Sequence, residues 1–180
     1  MNYLDITTCS VADGDGFRLV LWTSGCSHHC EGCHNAQSWD ENGGQEFTEE
    51  TMQHLLDELK YDYIKGLTLS GGDPLYENNI GTVYKICEKV KEIYPNKKIW
   101  LYTGYKFETI CDNFGSVQTD DFTIEKYLRH SILQYIDVLV DGQYVHQQRD
   151  ITLAFRGSSN QRLIDVQETL QKQEIVIYKQ

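Results

Sequence analysis

The chain has 180 residues, of which 40% are hydrophobic, with six cysteines and two prolines. Its 16 Lys and Arg against 27 Asp and Glu leave a formal net charge of −11, which argues against a nucleic-acid partner because phosphate backbones reward clustered basic residues. No apolar run approaches the ~20 residues that a membrane span needs, and the start of the chain lacks the basic-then-apolar pattern of a secretory signal. A single cytoplasmic domain, residues 1–180, with its thiols kept reduced, is the expectation.

In chain order, the first strand falls at residues 18–23, an apolar run from Arg18 to Thr23 that stops at Ser24-Gly25. After a loop, Thr48 reads as the N-cap of a helix with Glu49 and Glu50 in its first turn. Met52, Leu55, Leu56 and Leu59 recur at helical spacing as its core face. Residues 66–70 form a second strand, closed by Gly71-Gly72-Asp73-Pro74. A helix is predicted over 80–93, with Val83, Ile86, Val90 and Ile93 on one side and Cys87 as a small buried hydrophobe. A third strand over 99–102 ends in Thr103-Gly104-Tyr105. Residues 124–135 read as a helix and 136–140 as a fourth strand, ending in Asp141-Gly142. Leu153-Ala154-Phe155 is a weaker fifth strand, and residues 175–178 a last strand or an appended edge.

Strands separated by helical patterns point to parallel βα units. Eight such units take ~250 residues, so the fold class expected is α/β: a partial, open-sided barrel of about five or six units with a mostly parallel sheet. In such architectures the ligand sits beyond the carboxyl ends of the strands. Here each strand's carboxyl end carries a Gly-containing turn with a polar or metal-binding residue.

The first of those ends is Cys26-Ser27-His28-His29-Cys30-Glu31-Gly32-Cys33, three thiols on one short loop. An iron–sulfur cube that only carries electrons takes four thiolates; three would leave one iron open for chemistry. Spacing alone leaves a second metal reading standing, a zinc site completed by His28, His29 or His34, although Cys9, Cys87 and Cys111 form no second ligand pair. Asp13-Gly14-Asp15-Gly16 lacks the Lys-Ser/Thr ending of a phosphate loop and the remaining ligands of a calcium loop.

The Cys26-x3-Cys30-x2-Cys33 loop after one strand and Gly71-Gly72-Asp73-Pro74 after the next resemble the radical S-adenosylmethionine enzymes. Residues 13–18, Ser24-Gly25-Cys26, residues 69–75, residues 100–105, Val140-Asp141-Gly142 and residues 156–162 together resemble the glycyl-radical activating branch that serves anaerobic ribonucleoside-triphosphate reductase. The resemblance covers residues 1–162, and residues 163–180 carry no part of it. It implies a 4Fe–4S cluster on Cys26, Cys30 and Cys33, with S-adenosylmethionine chelating the fourth iron. Reductive cleavage would give methionine and a 5′-deoxyadenosyl radical, delivered to a glycine of the reductase, with a flavodoxin-type electron donor.

It further implies cofactor contacts from Gly32, Cys33 and His34 on the adenine side. Ser70, Gly71, Gly72 and Asp73 fall at the methionine end, with Thr103 beside them. Gly71 and Gly72 would let the backbone approach closely, because no Cβ intervenes. His34 departs from the aromatic ring that relatives of this kind commonly carry after the third cysteine. Neighbouring readings are a 7-carboxy-7-deazaguanine synthase-like enzyme, another glycyl-radical activase, or a metal-binding adaptor without turnover.

Overall fold

A computed structural model describes residues 1–111 and 123–179. Seven strands form one sheet in the order β3-β1-β2-β4-β5-β6-β7: β1 Asn2–Ser10, β2 Phe17–Thr23, β3 Gln45–Glu46, β4 Ile64–Gly71, β5 Lys98–Tyr102, β6 Val138–Asp141 and β7 Arg162–Asp165. The middle strands β2, β4, β5 and β6 are parallel, while β1, β3 and β7 join antiparallel. The sheet is open. The expected five or six units are therefore corrected to three crossovers between four parallel strands among the described residues. They carry α1 Glu49–Leu59, then α2 Glu77–Ile93, then α3 Phe107–Ile110 with α4 Ile124–Ile132, and α5 Val166–Lys172 follows β7.

Strand alternation divides the core into two layers. Leu19, Leu21, Leu67, Leu69, Ile99, Leu101 and Leu139 pack with Leu55, Leu56, Leu59, Ile80, Val83, Ile86 and Val90 of α1 and α2. Each such fully buried aliphatic contributes about 1.5–3 kcal/mol relative to exposure. Trp100, Val138, Val140 and Leu163 form a second cluster with Tyr102, Phe155 and Tyr178.

Arg18 is 1% exposed. It donates Nε to Thr68 (3.1 Å) and a terminal nitrogen to the carbonyls of Leu67 (2.5 Å) and Lys98 (2.9 Å). Its guanidinium lies 5.6 Å from the Trp100 ring centre, and burial draws its pKa down to about 10. The Asp13–Gly16 loop folds over this plug: Thr68 Oγ1 donates to Asp13 O (2.8 Å), and a Cβ on Gly14 would lie 2.9 Å from the Trp100 ring. This loop closes the foot of the sheet.

The α1 start is as expected. Thr48 Oγ1 accepts from Thr51 N and Thr51 Oγ1 from Thr48 N, both at 3.3 Å. Leu55, Leu56 and Leu59 are buried, as is Cys87. Ile93, expected on the core face of α2, is 43% exposed. Residues 153–155 are a turn, not the expected fifth strand, because Phe155 takes φ 57°, which an extended strand does not allow. Its ring instead packs edge-on at 5.2 Å from Trp100, and β7 is the strand that pairs with β6. Residues 175–178 are an appended edge: Ile177 bridges Ile164, and Tyr178 N donates to Leu163 O at 2.8 Å. No helix among the described residues is long and apolar enough to cross a membrane.

Candidate functional site

The parallel register aligns four carboxyl ends, pairing Thr23 with Gly71, Leu69 with Leu101 and Tyr102 with Val140. A cleft opens above them, lined by Cys26, Cys30, Cys33 and His34 from the first end and Ser70, Gly71, Gly72 and Asp73 from the second. Thr103 and Gly104 follow from the third. Of the predicted site residues only Gly32 stands outside this lining; a Cβ there would meet His146 Nδ1 at 2.5 Å. His34 is exposed on the rim.

The cysteine loop is closed at its base. Gly25 N donates to Ser38 O (2.8 Å) and Cys26 N to Trp39 O (3.3 Å), so the loop leaves and rejoins the sheet as a paired stem. A short helical turn at Ala36–Ser38 makes the return. His29 adopts φ 45° and its ring lies against Trp39, centroids 4.8 Å apart. All three thiols are half-buried and reduced. Burial pushes the Cys26 thiol up to about 11, opposed in part by its hydrogen bond to the His28 backbone, and burial also raises Cys30.

The glycine turn packs directly on this stem. Gly72 N donates to Thr23 O (2.7 Å) and Asp73 N to Gly25 O (2.8 Å). A Cβ on Gly71, at φ 109°, would fall 2.5 Å from Thr23 N and O, and one on Gly72 would fall 2.3 Å from Gly25 O. The two glycines are thus required first by the close approach of two protein backbones, a reason the sequence reading did not contain.

Asp73 is 1% exposed and its carboxylate is occupied by protein. It accepts from Leu75 N (2.8 Å), Gly104 N (3.0 Å) and Thr103 Oγ1 (2.9 Å), and His28 Nε2 stands 2.9 Å from its Oδ2. Asp73 and Thr103 therefore brace the turn from behind, with the Thr103 proton committed to Asp73. Asp141 faces away from the cleft, accepting from Phe107 N (2.8 Å) and from Arg162 Nε (2.9 Å). Arg156 donates to Gln161 O (2.9 Å).

The lining also includes Trp39, Tyr102, Gly142, Gln143, Tyr144 and Gln161, which sequence reasoning missed. Tyr102 shares a strand face with Trp100, and residues 142–144 directly follow a parallel strand, so the strand-end rule was a usable signal for them. Tyr102 Oη and Arg156 Nε are buried without a hydrogen-bond partner, and burial raises the Tyr102 phenol. Both residues line a second cavity that shares His34, Tyr102, Tyr144 and Gln161 with the cleft.

These residues fit an iron–sulfur cluster. The thiolates of a cube bind separate irons and need not converge on a point, whereas zinc demands one centre.

Comparison with known proteins agrees. Residues 12–164 match the family described as a 4Fe-4S single cluster domain. The chain is 42% identical, over 91% of its length and 93% of the relative's, to the anaerobic ribonucleoside-triphosphate reductase-activating protein of Enterobacteria phage T4. Identity is 40% to the protein of that name from Haemophilus influenzae and 37% to that from Escherichia coli K12, each over 89% of this chain and 96% of the relative.

Proposed function

The chain belongs to the family of anaerobic ribonucleoside-triphosphate reductase-activating proteins, and from that membership we propose that it is a radical S-adenosylmethionine enzyme that installs the glycyl radical on such a reductase. We read residues 1–180 as one domain, its open sheet a partial barrel around the cleft. It works in the reducing cytoplasm with a flavodoxin-type donor, where its six cysteines stay out of disulfides. The observation that carries the reading is the meeting, in one cleft, of three half-buried thiols on one loop with a glycine turn from the next parallel strand.

In this reading Cys26, Cys30 and Cys33 hold the 4Fe–4S cluster as thiolates. Bound there and given one electron by the donor, the cluster and S-adenosylmethionine would supply reductive carbon–sulfur cleavage and the radical chemistry that removes a hydrogen atom from a glycine Cα. The protein supplies position and electrostatics. Ser70, Gly71 and Gly72 offer a backbone edge at the methionine end, stiffened by Asp73 and Thr103, while Gly32, Cys33 and His34 form the adenine side. Tyr102 and Arg156 line the adjoining cavity, through which a protein segment would enter.

The test is anaerobic mixing of the reduced, cluster-loaded protein with S-adenosylmethionine and the reductase, followed by electron paramagnetic resonance. A glycyl doublet on the reductase is expected. Fully loaded, reduced protein that cleaves no S-adenosylmethionine overturns the reading, and cleavage without a doublet moves the substrate to another molecule.

A further inference from the structure

We propose that His28 is the positioning residue that holds the cysteine loop in register with the glycine turn and thereby sets the affinity of the site for S-adenosylmethionine. The inference rests on the function proposed above. The loop's backbone is tied at its stem, through Gly25 to Ser38 and Cys26 to Trp39. Its apex reaches the other strand ends at His28, with further contacts from the Cys30 thiol to the Tyr144 backbone and from Gly32 to His146.

His28 lies midway between Cys26 and Cys30 and meets all three neighbouring ends. Nε2 stands 2.9 Å from Asp73 Oδ2, after β4. Nδ1 is 3.0 Å from Gln143 Nε2, after β6. After β5, the Tyr105 ring meets it edge-on at 4.7 Å, and a Cβ on Gly104 would fall 2.3 Å from His28 Cδ2. The ring is therefore pressed against bare backbone.

Nδ1 is hydrogen-bonded to the Gln143 amide, while Nε2 lies 2.9 Å from Asp73 Oδ2 outside hydrogen-bond geometry, so the ring meets the carboxylate as a close polar contact. Asp73 cannot follow a moving loop, because Leu75 N, Gly104 N and Thr103 Oγ1 already hold it. A fixed carboxylate, the Gln143 amide and the bare Gly104 backbone around one ring make a clamp. Removing it frees the apex, and ordering the apex again opposes cofactor binding. The three thiols remain on their own loop to hold iron.

Three variants test this. In His28→Gln the amide nitrogen takes the place of Nε2 and keeps the Asp73 contact; in His28→Asn it takes the place of Nδ1 and loses that contact; His28→Ala loses both. Each is reconstituted anaerobically and assayed for iron, for the resonance spectrum of the reduced cluster alone, and for the S-adenosylmethionine concentration that half-converts that spectrum. Expected are unchanged iron and cofactor-free spectra throughout. Half-conversion should rise about tenfold in His28→Ala and His28→Asn, which lose the polar contact to Asp73, and stay within about threefold in His28→Gln. Equal half-conversion in all three proteins overturns the proposal. Lost iron or an altered cofactor-free spectrum in His28→Gln also overturns it, by making His28 a metal ligand. A wild-type spectrum that ignores S-adenosylmethionine instead removes the underlying function. Should His28→Ala fail to fold, the Gln–Asn difference decides the matter alone.

Discussion

At Gly72 one methyl group is enough to separate two loops. A Cβ there would stand 2.3 Å from Gly25 O and 2.9 Å from Ser38 O, both backbone atoms of the cysteine-loop stem that cannot rotate away. Gly81, exposed in α2, would place its Cβ in open space. Gly72→Ala is therefore expected to destabilise the protein by about 1–3 kcal/mol, as overpacking does, and to lower iron retention. Gly81→Ala should stabilise it by roughly 0.5–1 kcal/mol through helix propensity. Thermal unfolding and iron analysis of the two variants side by side give the comparison; a Gly72→Ala protein as stable as wild type with full iron would show that the loops tolerate separation. The same packing explains why this motif was readable before any coordinates. Three cysteines within eight residues and glycines between touching backbones are patterns that few other residue types can carry, whereas Trp39 and Gln161 are ordinary residues that only the fold brings to the cleft.

At the scale of elements, Arg162 joins three of them. From β7 it donates Nε to Asp141 Oδ1 at the end of β6 (2.9 Å), and its two terminal nitrogens reach the Glu108 carboxylate in α3 at 2.9 and 2.8 Å. Asp141 in turn accepts from Phe107 N at the start of α3 (2.8 Å). The hydrogen bond from Arg162 holds the Glu108 carboxyl below its ordinary 4.5. Because the folded value is the lower one, the stability this pair contributes is fully present above about 4.5 and is lost as pH falls through the folded pKa. Glu108→Gln is thus expected to be less stable than wild type at neutral pH, with the gap closing in acid. Denaturant unfolding over a pH series checks this, and a gap constant with pH would assign the effect to packing.

This junction also marks where the sequence reading stopped. The parallel strands β2, β4, β5 and β6 are short apolar runs with turn residues behind them, a local signal. In β1 polar and apolar residues mix, and its strand character comes from the ladder to β2, which pairs Tyr3 with Thr23 and Thr7 with Val20. β7 is four residues whose direction is dictated by β6 and by the Arg162 fork, so the more apolar Leu153-Ala154-Phe155 competed for it on composition and lost on backbone geometry.

Across the whole molecule the sheet is open at one end and sealed at the other, and the last residues take part in the seal. Tyr178 donates its phenol to Asp15 Oδ2 (2.6 Å), meets Trp100 edge-on at 5.4 Å and lies under the Lys98 ammonium, 5.6 Å from the ring centre. Burial and the bond to Asp15 push the phenol up to about 12, so it remains a donor at any pH at which the protein works. Tyr178 thus holds the Asp13–Gly16 loop down on the Arg18–Trp100 plug. Tyr178→Phe removes one hydrogen bond to a charged group and should cost about 1.5–3 kcal/mol. Tyr178→Ala also removes the aromatic contact, worth roughly another 0.5–1.5 kcal/mol beyond buried area. Since Tyr178 and Asp15 are not among the residues lining the cleft, iron content and the S-adenosylmethionine concentration that half-converts the cluster spectrum should match wild type in both variants below their unfolding temperatures. Weakened cofactor binding at unchanged stability would instead make the C-terminal segment part of the site, whereas graded loss of stability at constant affinity separates the frame of the protein from its site.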